Sequence, residues 1–202
     1  MNLSINDIGS VDSAACAKLL IESLPNDFLC MLGERFIKEC YFKQLSLAEH
    51  GKSFVFYEKN CMVAFLVSAN SKGLLKQVVI NNKFLFFQSV FQAFFRAPIG
   101  FSMTTISVLF YLLNPKCQIT KSGFVELCYI VVNKSYRKKG MGVQLVNEMI
   151  NYYSKVENIF GVYVKTLKDD IDGGAKDFYL KNEFLLEKEC NGRAVLVRRF
   201  TK

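Results

Sequence analysis

Residues 124–154, FVELCYIVVNKSYRKKGMGVQLVNEMINYYS, join an apolar segment to an amphipathic one through a basic glycine turn. Val125–Val132 has the length and the β-branched and aromatic content of a buried strand. After the turn, the apolar residues of Val143–Tyr153 recur at helical spacing. The stretch therefore predicts a strand, a tight turn and a helix, in that order.

The glycine turn predicts an anion-binding site at the start of that helix. Gly140 and Gly142 let the backbone approach a ligand closely, and the first turn of a helix has N–H groups without intrahelical partners. These N–H groups and the helix dipole favour an anion, and Arg137, Lys138 and Lys139 add positive charge. A solvated basic loop without a ligand is the alternative interpretation.

Two other phosphate-binding motifs fit this turn poorly. A dinucleotide-binding turn has a third glycine three residues after the second, where this chain has Leu145. A Walker-type loop ends in Gly-Lys-Ser or Gly-Lys-Thr, whereas this turn ends in Gly-Met-Gly. The turn therefore favours neither of these nucleotide-binding folds.

The turn and the segments after it occur in an order that resembles the GNAT superfamily of acyl-CoA-dependent N-acyltransferases. The spacing R-x-x-G-x-G in Arg137–Gly142 resembles the pyrophosphate-binding signature of that family. Phe160–Val164 then predicts a short strand. Ala175–Phe184, AKDFYLKNEF, resembles the A-x-x-F-Y-x-K-x-G-F helix that closes many GNAT domains, and Val195–Phe200 predicts the last strand.

The resemblance implies a mixed α/β (α+β) fold, in which helices flank a largely antiparallel central sheet within a single domain over residues 1–202. The chain departs from the family pattern at Glu183, where glycine is usual, and at Asp172, where asparagine often precedes the helix. The other elements predicted before residue 70 are a strand near Leu3–Ile8, a helix over Asp12–Glu22, a helix from Asn26 or Asp27 to about Leu47, and a hairpin over Ser53–Val67.

An apolar insertion of about fifty residues, about 70–119, separates this hairpin from the signature strand. A helical stripe is predicted at Phe84, Phe87, Phe91 and Phe94, widened by Phe86 and Phe95. Ala97–Asn114 carries no charge and is at the lower length limit for a membrane span, but it contains Pro98 and Gly100. We expect a soluble helical pair whose stripes pack on the sheet, on each other or on a partner subunit. A homodimer is therefore expected. The insertion can also form a wall of the acceptor or acyl pocket. Membrane contact is the less favoured alternative.

Charge and residue usage limit the classes of function. The net charge of +8 favours an anionic ligand, but no nucleic-acid-binding pattern is present, so we expect no nucleic acid. His50 is the only histidine, which argues against a histidine metal site and a serine–histidine triad, and no metal is expected. The seven cysteines form no C-x-x-C pair and most lie in apolar runs, which predicts reduced thiols in a cytoplasmic protein.

Two residues are candidates for proton transfer, because N-acylation by a thioester needs an acceptor for the amine proton and a donor for the thiolate. Glu126 is the one charged residue of its strand, and the resemblance places it where histone-acetylating GNAT members have their catalytic glutamate. An ordinary ion pair is the alternative. Tyr179 matches the tyrosine that in many members protonates the thiolate; the alternative is a tyrosine that packs on Phe184.

The resemblance also implies how acetyl-CoA, or another acyl-CoA, binds as co-substrate. The backbone of Ile130, Val131 and Val132 would bind the pantetheine arm and polarise the thioester carbonyl. Cys128 lacks a histidine to activate it and is not expected to be a nucleophile. The residues predicted to hold the pyrophosphate are Arg137, Lys138, Lys139, Gly140, Met141 and Gly142.

The acceptor amine is predicted from an N-terminal pattern, from the apolar insertion and from the positive net charge of the chain. The pattern comprises Leu24-Pro25, Phe28, Leu32-Gly33, Phe36 and Tyr41, and it is similar to GNAT proteins found with bacterial surface-polysaccharide genes. Together these features favour a nucleotide-linked amino deoxysugar of O-antigen or capsule synthesis, acylated with acetyl or a larger group such as hydroxybutyryl. A peptide or protein amine, an aminoglycoside, and a non-catalytic CoA-binding module are the alternatives.

Overall fold

The computed structural model describes residues 2–70, 73–96, 98, 105, 122–167, 174–190 and 192–200. Among these residues the strands are β1 (Asn2–Asp7), β2 (Lys52–Glu58), β3 (Cys61–Ala69), β4 (Phe124–Val132), β5 (Gly161–Leu167), β6 (Leu185–Cys190) and β7 (Arg193–Arg199). The α-helices are α1 (Ser13–Ser23), α2 (Phe28–Leu32), α3 (Glu34–Phe36), α4 (Lys43–Ser46), α5 (Leu74–Asn81), α6 (Lys83–Arg96), α7 (Met141–Tyr153) and α8 (Ala175–Lys181).

All seven strands belong to one sheet, in the order β1-β2-β3-β4-β5-β7-β6. Only the central β4–β5 pair is parallel, and the other neighbours are antiparallel. This confirms the predicted mixed, largely antiparallel sheet with flanking helices. The single domain over residues 1–202 stays a prediction.

Helices cover both faces of the sheet, so the central strands are buried on both sides. On one face α7 buries Leu145, Val146, Met149 and Tyr153, as the helical spacing of these residues predicted. On the other face α1 to α4 form a second core, which includes Leu20, Phe36 and Ile37. Strand β4 contributes side chains to both cores, which explains its continuous apolar sequence.

A β-bulge in β4 exchanges the two faces of that strand. Ser68 of β3 pairs with Leu127 and Val67 pairs with Tyr129, so Cys128 lies in the bulge without a register partner. Before the bulge, Val125 and Leu127 pack in the α7 core. Cys128 and Tyr129 both contact the α1–α4 core. A bulge also increases the local twist of its strand, which turns the second half of β4 away from β5.

Two elements differ from the sequence prediction. The long helix expected up to Leu47 is divided after Leu32, because Gly33 has a φ of 93° that ends α2, and a π-helical segment, Ile37–Phe42, separates α3 from α4. Strand β6 was missed by the sequence analysis. It lies at the edge of the sheet and carries Glu187, Lys188 and Glu189, so it has no alternating apolar face to reveal it.

The insertion contains α5 and α6. The phenylalanine periodicity predicted α6, whereas α5 was not predicted, and the second helix of the expected pair falls on residues outside the described ones. The phenylalanine stripe does not pack on the sheet, however, because Phe84, Phe87 and Phe91 are exposed. Most of the uncharged stretch Ala97–Asn114 lies outside the described residues, and no helix within the described part is long and apolar enough to cross a membrane.

The cysteines agree only in part with the prediction of reduced thiols. Cys16, Cys30, Cys40, Cys61 and Cys128 are free. Cys190 is bonded in a disulfide, so the prediction is wrong for that residue.

Candidate functional site

The centre of the sheet opens between β4 and β5. The two strands pair only from Phe124↔Gly161 to Leu127↔Val164. Beyond these pairs, β4 continues to Val132 against β3, and β5 continues to Leu167 against β7. The strands therefore diverge after four residue pairs. The N–H of Asn133 donates to Val63 of β3, and N–H groups alternate in direction along a strand, so those of Ile130 and Val132 face the opening and that of Val131 faces β3. A slot of this kind can accept an extended ligand along the β4 edge.

The glycine turn lies at the same end of β4 and leads into α7. Gly140 precedes the helix with a φ of 79°, and Lys138 has a φ of 61°. Within the described residues, the N–H groups from Lys138 to Gly142 donate to no protein acceptor. The first intrahelical bond runs from the N–H of Gln144 to the carbonyl of Gly140, at 3.0 Å. A row of donors at a helix N-terminus is suited to a phosphate.

The cations of the turn lie beside these donors. The Arg137 Nε donates to the Val132 carbonyl at 3.1 Å, which ties the exposed guanidinium to the end of β4. The Lys139 ammonium lies 5.0 Å from the centre of the Tyr136 ring. The structure therefore brings the predicted phosphate-binding residues together around one helix end.

Gly142 is favoured by close packing rather than by its backbone angles. A Cβ at this position would lie 3.3 Å from two carbons of the Phe178 ring in α8. The Phe178 ring in turn packs edge-on against Tyr179, with the ring centres 5.2 Å apart. The second glycine of the motif thus allows α8, which carries the candidate acid, to approach the N-terminus of α7.

Glu126 lies on the face of the sheet that is opposite α7, and it has two partners on β5. The Tyr163 hydroxyl and the Lys165 ammonium each donate to Glu126 Oε2 at 2.8 Å. Tyr163 is the direct register partner of Glu126, and Lys165 follows two residues later on the same face. The predicted ion pair therefore exists, and it leaves open a second role for the carboxylate as a base.

Tyr179 lies in the α7 core and is buried. Its ring packs against Phe178 and against Phe184, with a centre-to-centre distance of 5.5 Å for the second pair. Burial raises the pKa of the Tyr179 phenol above its usual value near 10, so the hydroxyl keeps its proton at neutral pH. The contact with Phe184 is the one that the alternative interpretation of Tyr179 predicted. A general acid must carry a proton at the working pH, and the Tyr179 hydroxyl does so.

The structure does not place Glu126 and Tyr179 side by side. They belong to opposite faces of the sheet, since Tyr179 packs in the α7 core with Val125 and Leu127, and Glu126 lies between these two residues on β4 and so points to the other face. The opening between β4 and β5 connects the two faces.

The face around Glu126 also contains a buried polar cluster. Tyr129 of β4 donates to the carboxylate of Asp27 at 2.9 Å, and Asp27 also accepts from the N–H of Leu29 as the N-cap of α2. Burial raises the pKa of Asp27, while these hydrogen bonds and the charge of Arg193 oppose the increase. The Tyr41 ring packs edge-on against Tyr129, with ring centres 5.9 Å apart.

Cys128 belongs to this polar cluster but has the wrong chemistry for a nucleophile. Burial, and then the negative charge of Glu126, raise the pKa of its thiol. The thiolate, which is the reactive form, is therefore strongly disfavoured. This supports the prediction that acyl transfer does not pass through Cys128.

Sequence reasoning missed Tyr163, Lys165, Asp27 and Phe178. One signal was available for Lys165, since it is the charged residue directly after the predicted strand Phe160–Val164, and Glu126 is the one charged residue of its own predicted strand. The alternation of side chains along a strand shows which face of the sheet each residue lies on. Only the register between β4 and β5 shows that Glu126 and Lys165 are neighbours.

The fold agrees with a comparison against protein families. The family model described as Acetyltransferase (GNAT) family matches residues 21–184, which is most of the chain. The chain belongs to the GNAT acetyltransferase family. As a GNAT protein it is an acyl-CoA-dependent N-acyltransferase, and acyl-CoA is its co-substrate. No group of three or more His, Cys, Asp or Glu in the described part of the chain could hold a metal ion.

Solved GNAT structures share the fold at low sequence identity. The ribosomal-protein-S18-alanine N-acetyltransferase of Escherichia coli is 10% identical with a TM-score of 0.58, and the match covers 100% of this chain and 96% of that one. The PaiA N-acetyltransferase of Thermoplasma acidophilum, solved with coenzyme A, is 12% identical with a TM-score of 0.51, covering 99% and 100%. Arabidopsis thaliana NAA60, with a bisubstrate analogue, is 14% identical with a TM-score of 0.54, covering 98% of each chain. No curated protein matches the sequence.

Proposed function

We propose that this GNAT protein transfers an acyl group from CoA to the amine of a nucleotide-linked amino deoxysugar. The observation that supports the transferase site most directly is the row of N–H donors from Lys138 to Gly142 beside the opening between β4 and β5. A pyrophosphate at the turn and a pantetheine arm along β4 would place a thioester at the centre of the sheet. The acyl group is acetyl or a larger group such as hydroxybutyryl.

The reaction uses groups on both sides of the opening. The amine nitrogen bonds to the thioester carbon and loses a proton, which the Glu126 carboxylate accepts directly or through water. The carbon–sulfur bond breaks as the amide forms, and the Tyr179 hydroxyl donates a proton to the departing thiolate. The backbone N–H groups of Ile130 and Val132, which point away from β3, stabilise the negative charge that develops on the carbonyl oxygen.

Three features support a nucleotide-linked amino sugar as the acceptor. The net charge of +8 suits a diphosphate. The N-terminal pattern, which resembles that of polysaccharide-associated members, includes α2 and α3, and Gly33 separates these two helices. Tyr41 of the same pattern packs on Tyr129 of β4, so this region borders the Glu126 face. O-antigen or capsule synthesis is the corresponding process.

Peptide and protein amines are the second class of acceptor. The E. coli protein of similar fold is, by its name, an acetyltransferase for an alanine of ribosomal protein S18. At this low identity the likeness concerns the fold, so such amines belong in the same assay. A cytoplasmic location and a homodimer stay predictions of the sequence analysis.

The experiment that tests the proposal measures thiol release from acetyl-CoA and from longer acyl-CoAs. The acceptors are nucleotide amino sugars, peptides with free N-termini, and aminoglycosides. Turnover that is confined to nucleotide amino sugars supports the proposal, and turnover with peptides alone overturns the acceptor assignment. Retained CoA binding without turnover for any acceptor would indicate a CoA-binding module. The Arg137→Glu variant is the control for cofactor binding.

A further inference from the structure

The outer face of α6 is an unusual surface for a protein in water, because five of the nine exposed residues of the helix are phenylalanine. Phe84, Phe87, Phe91 and Phe95 are 84%, 67%, 65% and 69% exposed, and Phe94 is 48% exposed. Their spacing puts these rings on one side of the helix, which we call the Phe face. Contiguous exposed apolar patches of this kind mark sites that contact a protein or a membrane.

The opposite side of α6 fixes the orientation of the helix. Ser89 and Ala93 are buried, and the Phe86 ring packs on Phe36 of α3 with ring centres 5.9 Å apart. Helix α6 also packs on α2 and α5. The helix therefore already has a protein-facing side, and the Phe face is a second apolar side.

The charges around the Phe face indicate what it contacts. Between Glu58 and Glu126 the sequence contains seven Lys or Arg residues and no Asp or Glu. Three of these cations, Lys76, Lys83 and Arg96, are exposed on α5 and α6 themselves. A second copy of this chain would bring two cationic surfaces together, whereas an anionic lipid surface is complementary to both the charge and the apolar rings.

We propose that α6 docks on an anionic membrane surface, with the Phe face buried at the boundary between headgroups and acyl chains. Interfacial helices combine phenylalanine on one side with Lys or Arg around it, and they lie in the plane of the bilayer at a depth of about 5–10 Å. The binding is peripheral, since no described helix is long and apolar enough to cross the bilayer.

This docking would bring the acceptor side of the enzyme close to the membrane. Helix α6 packs on α2, whose N-cap Asp27 bonds to Tyr129 of β4 on the Glu126 face. The inference rests on the exposure and charge of α5 and α6, so it holds for any acceptor class. Its failure and a failure of the proposed sugar acceptor can be distinguished, because vesicle binding needs neither acyl-CoA nor acceptor.

The absence of tryptophan from the sequence makes a direct test possible. In the full-length Phe91→Trp protein, the single indole reports on the Phe face, and Leu185→Trp is the matched control because Leu185 is exposed on the edge strand β6. Vesicles of phosphatidylcholine with phosphatidylglycerol should shift the Phe91→Trp emission to the blue, and brominated lipid should quench it. The Leu185→Trp emission should not change. Equal responses of the two probes, or no response of Phe91→Trp, would overturn the proposal.

Flotation with the same vesicles tests the two physical contributions separately. Phe87→Ser with Phe91→Ser should lower vesicle binding more than about tenfold, because two large apolar side chains no longer enter the lipid. Lys76→Glu with Lys83→Glu should remove the preference for anionic over neutral vesicles. All variants should keep the melting temperature and the thiol-release rate of the wild type. The proposal is contradicted if the wild type binds neutral and anionic vesicles equally. It is also contradicted if the wild type binds no vesicles but self-associates, and the serine variants abolish that self-association.

Discussion

The Lys165 ammonium lies 2.8 Å from the Glu126 carboxylate, in an ion pair that joins β5 to β4 where the two strands begin to diverge. Both side chains are largely buried, at 17% and 13% exposure. Such a pair, together with the hydrogen bond from Tyr163, holds the carboxylate in one orientation. The same geometry is therefore expected whether Glu126 is only a partner in an ion pair or also a catalytic base. Matched substitutions of Glu126 and Lys165 distinguish the two roles.

The first prediction concerns Glu126 as the base. Glu126→Gln keeps the size of the side chain and removes its ability to accept a proton, so kcat should fall about 100-fold or more. The KM for acyl-CoA should stay near the wild-type value, because the CoA-binding residues are unchanged. Steady-state thiol release at varied acyl-CoA and acceptor concentrations measures both constants.

The matched control is Lys165→Met, which breaks the same ion pair but keeps the carboxylate. Breaking a buried pair costs about 3–5 kcal/mol, so both variants should lower the free energy of urea unfolding. Only Glu126→Gln should also remove the proton acceptor, so its loss of kcat should be much larger than that of Lys165→Met. A similar loss of kcat in both variants, in proportion to stability, would show that Glu126 has only a structural role.

The second prediction concerns the Tyr179 hydroxyl. Tyr179→Phe keeps the ring contacts with Phe178 and Phe184 but removes the proton donor, so kcat should fall about 100-fold while the melting temperature changes little. Because burial raises the pKa of this phenol, the wild-type rate should not fall below pH 10 through loss of its proton. Full activity of the phenylalanine variant would exclude Tyr179 as the acid.

The third prediction concerns Gly140, whose φ of 79° is in the left-handed region. A Cβ there would meet nothing within 4 Å, so a substitution acts through the backbone alone. Gly140→Val should weaken CoA binding and cost about 1–2 kcal/mol of stability, whereas Gly140→Asn should retain most of both, because asparagine tolerates this conformation. Calorimetric titration with CoA measures the affinities, and equal affinities would contradict the role of the turn geometry.

Arg137→Glu tests the charge of the same turn without changing its backbone. A carboxylate beside the N–H row should repel the pyrophosphate and weaken CoA binding more than about tenfold, with a smaller loss at high salt. Lys134→Glu is the matched control, since Lys134 is an exposed cation in the short helical turn before the motif. Unchanged CoA affinity in Arg137→Glu would argue against the whole motif assignment.

The sequence predicted most of the sheet and the cofactor side of the site because both depend on local patterns. The strand, the glycine turn and α7 are encoded by apolar spacing and two glycines within residues 124–154. The acceptor side depends on long-range register instead. The contact between Tyr129 and Asp27 spans 102 positions, and no periodicity along the chain announces it.

The Phe face shows a different limit of sequence reasoning. Helical spacing correctly placed Phe84, Phe87 and Phe91 on one side of α6, but spacing cannot tell which side of a helix packs on the protein. The answer came from the small residues Ser89 and Ala93, which allow the opposite side to approach α2 and α3. Apolar residues on both sides of a helix thus indicate that one side packs on the rest of the protein and that the other side contacts something else.

The fourth prediction concerns the thiols. Burial raises the pKa of Cys128, so this thiol should react slowly with iodoacetamide, whereas Cys61 is exposed and should react first. Mass spectrometry of peptides from the folded protein gives the order of labelling. Cys128→Ala should keep kcat within about threefold of the wild type, because the proposed transfer is direct. A loss comparable to that of Glu126→Gln would instead indicate a covalent acyl-cysteine step.

The last prediction concerns stability at high pH. Burial raises the pKa of Tyr41, Tyr129, Tyr153 and Tyr179 above the value near 10 that tyrosine has in an unfolded chain. The unfolded chain therefore loses these protons first as the pH rises. The stabilisation from the neutral phenols is fully present below pH 10 and is lost above it, by up to about 1.4 kcal/mol per pH unit for each phenol. Urea unfolding between pH 9 and 11.5 measures this slope.

Tyr153→Phe isolates one of these phenols. The Tyr153 hydroxyl bonds to Ser68 at 3.0 Å, so the variant is less stable at neutral pH. Above pH 10, however, its free energy of unfolding should fall less steeply than that of the wild type, because it has one fewer proton to lose on unfolding. The two curves should therefore converge as the pH rises, and parallel curves would show that Tyr153 does not contribute to the alkaline transition.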